Sequence, residues 1–186
     1  MALEAAFENL PQQLRKLREL LQEMALTVQE DRPPLLDSLL VERLGAGLTD
    51  LQALIEEAFA AAASAHKSVT EAPPHLLRAR RSLSVSHENF HRASRMLYSD
   101  FLSYERMAQL VNFGEEHGRE WAAWVQTVRQ GLAHCPEQLQ AVSDAHLRCW
   151  QELAERAETR SVSAQVTRSG QRRTSRKKKP MRKHPR

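Results

Sequence analysis

Five consecutive residues, His87-Glu88-Asn89-Phe90-His91, have types and spacing that could do chemistry. Side chains four apart in an α-helix stand on one face, so both imidazoles of an H-E-x-x-H stretch can reach one Zn²⁺. The glutamate between them can then polarise a metal-bound water, as in a zinc hydrolase. On this reading His87 and His91 hold zinc and Glu88 is the catalytic base. A further ligand must come from elsewhere. If the chain reverses near Gly114, roughly residues 134–141 lie opposite, which nominates His134 and Cys135. His87, His91, His134 and Cys135 together would suit a structural zinc, since four protein ligands leave no open position.

The same five residues resemble the signature of zinc metallopeptidases, and the likeness stops at those five. The extended metzincin pattern continues with a glycine and a third histidine at positions that here hold Ser94 and Leu97. The other main kind takes a glutamate from a following helix, for which Glu115, Glu116 and Glu120 are the candidates. An unbroken helix reaching Asn112 would leave them ~30 Å from His91. A competing expectation is structural. On a helical wheel His87 falls on the face of Leu83, Phe90, Ser94 and Phe101, flanked by His91 and Tyr98, which predicts core histidines in a polar network. A di-iron carboxylate site is excluded because no second E-x-x-H exists. His146 and Cys149 also have ligand spacing, but Cys135 would stand ~20 Å from Cys149 along one helix. That pair is read as packing around Trp150, and both cysteines as free thiols.

The elements that would position these residues are helices. Leu3, Phe7, Leu10, Leu14, Leu17, Leu20, Leu21, Met24 and Val28 recur at helical spacing, with Pro11 expected to start or kink the segment. Pro33-Pro34 opens a second helix that Gly45 and Gly47 are expected to interrupt. Thr49 and Gln52 then read as a capping box for a fresh start. Ala58 and Ala62 on that stripe would let a neighbouring helix approach closely. Glu71–His75, with two prolines, breaks the chain. From 76 to 111 there is neither Gly nor Pro, and Leu76, Leu83, Phe90, Leu97, Tyr104 and Val111 fall every seven residues. This seam predicts bundle packing or self-association. Trp121, Trp124, Val125, Val128 and Leu132 mark a fourth helix, and Leu139, Val142, Leu147, Trp150 and Leu153 a fifth. The predicted fold is all-α, an elongated antiparallel bundle of about five helices over residues 1–159.

Charge divides the chain. Of 27 Lys and Arg, 16 accompany all 23 Asp and Glu in residues 1–159, a net −7, while 160–186 carry the other 11 and no acid. The second segment is predicted to be a disordered basic tail, with Ser161–Thr167 as a linker or short strand. Arg172, Arg173, Arg176, Lys177, Lys178, Lys179, Arg182 and Lys183 would bind nucleic acid or another polyanion. No aromatic residue interleaves them, so base stacking and sequence preference are not expected. No signal peptide or transmembrane stretch is evident, which predicts a cytoplasmic protein. The function expected from these features is a non-enzymatic adaptor or assembly protein that binds a protein partner or itself through the 76–111 helix. A zinc hydrolase and a non-specific nucleic-acid-binding protein are the alternatives.

Overall fold

The computed structural model describes residues 2–30, 38–101 and 133–174, with positions 123, 126 and 130, and side chains for 2–26, 45–99 and 133–159. These residues are almost entirely helical and contain no strand. Among the described residues there are four long helices: α1 (Ala2–Glu30), α2 (Ser38–Thr70), α3 (Leu76–Met96) and α4 (Cys135–Thr174). A π-helical turn, Leu97–Phe101, continues α3. None of the described helices is long and apolar enough to cross a membrane.

The packing order follows from which stripes are apolar. Helix α1 lies against α2 and α4, and α3 lies against the same two, so α1 and α3 occupy opposite corners of the bundle. Named contacts give the directions. Arg18 meets Glu56, Ser64 meets Ser82, and Cys149 Sγ donates to the Ala6 carbonyl at 3.3 Å. A second contact for each pair of neighbours, Gln52 with Leu21, His75 with Ser68 and Gln138 with Gln13, shows that position rises along one helix as it falls along the other, so adjacent helices are antiparallel. The core is built from Leu3, Phe7, Leu10, Leu14, Leu17, Leu21 and Met24 of α1, with Leu20 half-buried beside them, and from Leu139, Val142 and Leu153 of α4; Trp150 is half-buried, and Leu147, expected on the same stripe, is exposed. On α3, Leu83, Phe90 and Leu97 are buried too. Through Leu97, therefore, the heptad seam is consumed inside the molecule. Each such side chain contributes about 1.5–3 kcal/mol of hydrophobic stabilisation. Ala58, Ala62 and Ala65 have no exposed surface, which is what small residues permit when two helix backbones run close.

Three local expectations need correction. Pro11 lies inside α1, whose helix begins at Ala2, so of the two roles expected for it the start is ruled out, and as an interior proline it costs one backbone donor. Gly45 and Gly47 lie inside α2, which runs unbroken from Ser38. Thr49 accordingly caps nothing: its Oγ1 donates back to the Gly45 carbonyl at 2.9 Å, the bond of a mid-helix threonine. In the third case α4 extends to Thr174, so 161–167 is helical and helix covers the first part of the expected tail. No Gly or Pro interrupts 137–169, and a helix propagates readily once nucleated. Residues 175–186, the expected helix start at Pro33-Pro34, Trp121 and Trp124 themselves, and the seam positions Tyr104 and Val111 lie outside the described residues, while 123, 126 and 130 within the predicted fourth helix are helical.

The Glu71–His75 break stands where the prolines place it. The His75 amide donates to the Ser68 carbonyl at 2.8 Å, closing the reversal between α2 and α3.

Candidate functional site

The histidines of the 87–91 stretch lie on the outside. The buried residues of α3 are Ala79, Leu83, Ser86, Asn89, Phe90 and Ala93, continued by Leu97, so His87 falls about 100° away from Ser86 and is exposed, as are Glu88 and His91. The wheel expectation of core histidines is thus corrected by one residue. His87 and His91 do share a side of the helix, with ring centroids 6.4 Å apart.

His134 and Cys135 do not join them. The residue of α4 that meets His87 is His146, at 5.3 Å between ring centroids. Cys135 is eleven positions earlier in α4, ~16 Å along the axis. Its thiol is buried against Met24 of α1, with 3.7 Å between sulfurs. His134 is exposed over a shallow groove that also holds Lys16, Glu19, Glu23 and Glu137. Among the described residues no group of three or more His, Cys, Asp and Glu side chains could hold a metal ion. Glu115, Glu116 and Glu120 lie outside those residues.

His146, read from its spacing as packing around Trp150, packs instead against Phe90 and bonds to Ser86. It is 1% exposed, with its ring stacked on Phe90 at 5.3 Å between centroids. The Val142 carbonyl, 3.0 Å from Nδ1, can only accept, so Nδ1 carries the proton. Nε2 then accepts from the Ser86 hydroxyl at 3.0 Å. Burial drives the imidazole pKa down to about 4; the Val142 hydrogen bond opposes that shift and the nearby His87 adds to it. His146 is therefore neutral at pH 7, with both nitrogens engaged. Its i, i+4 bond to Val142 is set by α4 itself, whereas Ser86 reaches it only because α3 and α4 pack together.

A serine hydroxyl donating to an imidazole is the geometry of an activated nucleophile. Here Ser86 has no exposed surface, so no substrate can approach the oxygen. The pair acts as a buried polar clamp between α3 and α4.

No family model, curated protein or solved structure matches the chain. The molecule's own chemistry is then the guide to its function.

The thiols are inert by the same physics. Burial raises Cys135 to about 11, and burial with the nearby Glu152 carboxylate raises Cys149 to about 12. A protonated thiol is a poor nucleophile and a poor metal ligand.

A different feature of α4 concerns the basic segment. Leu153 is the last buried residue among the described side chains, and Ala154 to Thr159 are exposed at six consecutive positions. Six residues span more than one and a half turns, so every side of α4 faces solvent there. The helix has passed the end of the bundle, set by Leu3 of α1 and Thr70 of α2, before it enters the basic segment.

Proposed function

We propose that this chain is a non-enzymatic helical adaptor or assembly protein whose basic C-terminal segment tethers it to an anionic partner. The observation that carries this reading is the charge division, +11 over 160–186 against −7 over 1–159, joined to a helix that leaves the bundle before the basic segment begins. A segment on such an extension has room to reach a partner. The reading is also supported by the bundle's chemistry, in which the Ser86–His146 pair is buried and both thiols are protonated. Arginine-rich and lysine-rich segments bind polyanions by releasing counterions, so this tethering falls steeply with salt.

The test uses the full-length chain beside a variant with Lys177, Lys178, Lys179, Arg182 and Lys183 changed to Gln, and a chain ending at Thr159. Partners crosslinked to the wild type at ~0.15 M salt should be lost from both variants and at ~0.5 M salt. Equal capture by all three forms would remove the basic segment from the account.

A further inference from the structure

We infer that the outer face of α3 docks on the outer face of α1 of a second copy, so that copies associate side by side. On α1, Glu8, Arg15 and Glu19 are exposed; on α3, Arg81, Glu88 and Arg92 are exposed. The two triplets have the same spacing, seven residues and then four, with every sign reversed. Both helices present them on the side away from the core. Leu10, Leu17 and Met24 face inward on α1 as Leu83, Phe90 and Leu97 do on α3, again in matching positions.

The bundle sets the two triplets at one height. Arg18 meets Glu56 across α1 and α2, and Ser64 meets Ser82 across α2 and α3. Eight residues of α2 separate Glu56 from Ser64, so Arg18 is level with Phe90. Glu8, Arg15 and Glu19 are then within one residue of the level of Arg81, Glu88 and Arg92. Helices α1 and α3 also run in the same direction, because each is antiparallel to α2. A copy shifted sideways, without rotation or sliding, therefore sets Glu8 against Arg81, Arg15 against Glu88 and Glu19 against Arg92.

Neither described ion pair uses any of these six residues. Arg15 does lie over the Phe59 ring at 5.8 Å to its centroid, which keeps its guanidinium near α1. Arg78, Arg80 and Arg95 are exposed around the α3 triplet and strengthen its positive field, while Glu4 and Lys16, exposed around the α1 triplet, have opposite signs. Leu77 and Val85, 77% and 51% exposed, add apolar surface to the α3 side. The contact is head-to-tail, each copy offering α3 to one neighbour and α1 to another, so association is open-ended. Exposed ion pairs are individually weak and are screened by salt. The inference does not depend on the basic segment.

Sedimentation velocity of the full-length chain tests it. At ~20 mM salt the average mass should climb with concentration without levelling at a dimer, and at ~0.5 M salt it should return to monomer. Arg81→Glu/Arg92→Glu should be monomeric at both, as should Glu8→Arg/Glu19→Arg, and an equimolar mixture of the two should associate again. Since all four positions are exposed, helicity by circular dichroism should be unchanged. A monomeric wild type, an Arg81→Glu/Arg92→Glu variant that associates like wild type, or a mixture that stays monomeric would each overturn the inference. The second outcome would point instead to the basic segment binding the acidic body of another copy.

Discussion

Ser86 and His146, sixty positions apart in the chain, hold each other at 3.0 Å between α3 and α4 with neither side chain reaching solvent. A buried hydrogen bond contributes little net free energy while intact and costs considerably more when only one partner is removed. Ser86→Ala should lose about 1–3 kcal/mol, because Nε2 is left as a buried acceptor without a donor. Ser86→Ala/His146→Leu should lose less than the sum of the two single changes. Urea unfolding of the four proteins gives the coupling directly, and simple additivity would contradict the clamp.

The same histidine makes stability depend on pH. Its folded pKa of about 4 lies below the unfolded value of 6.5, so between these values the unfolded chain binds more protons. Stability from keeping His146 neutral is complete above pH 6.5 and is lost as pH falls to 4. That interval corresponds to ~3 kcal/mol. Carboxylates titrate in part of this range, so the informative quantity is the difference between wild type and His146→Leu. It should shift by ~3 kcal/mol against the wild type between pH 7 and pH 4. A difference that stays level would mean that water reaches the imidazole.

Gly45 and Gly47 sit in the interior of α2, and a β-carbon at either would meet nothing within 4 Å. Glycine gives up more backbone freedom on entering a helix than alanine does, so each change to Ala should stabilise by ~0.5–1 kcal/mol. Thermal melting of Gly45→Ala and Gly47→Ala checks this. Destabilisation by either would show that α2 is not continuous there.

Zinc is the fourth test. His87 and His91 share one side of α3, but His146, the nearest further imidazole, spends both nitrogens on Ser86 and Val142. After dialysis against zinc and then buffer, less than one equivalent should remain, with melting unchanged by chelator and by His87→Ala/His91→Ala. One tightly held zinc, lost in the double variant, would restore the metal reading and require a third ligand outside the described residues.

The helical content and most of the core were legible because helix periodicity is a local signal. Leu3 to Met24 on α1 are buried at the positions their spacing assigns, and Pro73-Pro74 ends the α2 pattern where a missing amide must. Local punctuation was less reliable. Gly45, Gly47 and Thr49 read as a stop and a start, yet the stripe continued by Leu48, Leu51 and Ile55 packs on α1 strongly enough to carry α2 through both glycines. The π-helical turn at Leu97–Phe101 has no Gly or Pro to announce it.

What the sequence alone determined was the set of amphipathic stripes and the separation of charge at about residue 160, since each depends only on neighbours along the chain. Only the tertiary structure decided which side chains meet. Counting back from a reversal at Gly114 placed His134 and Cys135 opposite His87, whereas packing put His146 there, eleven positions later in α4. The height at which one helix stands against another is set by how all four apolar stripes interlock at native density. Residue spacing within one helix carries no record of that height.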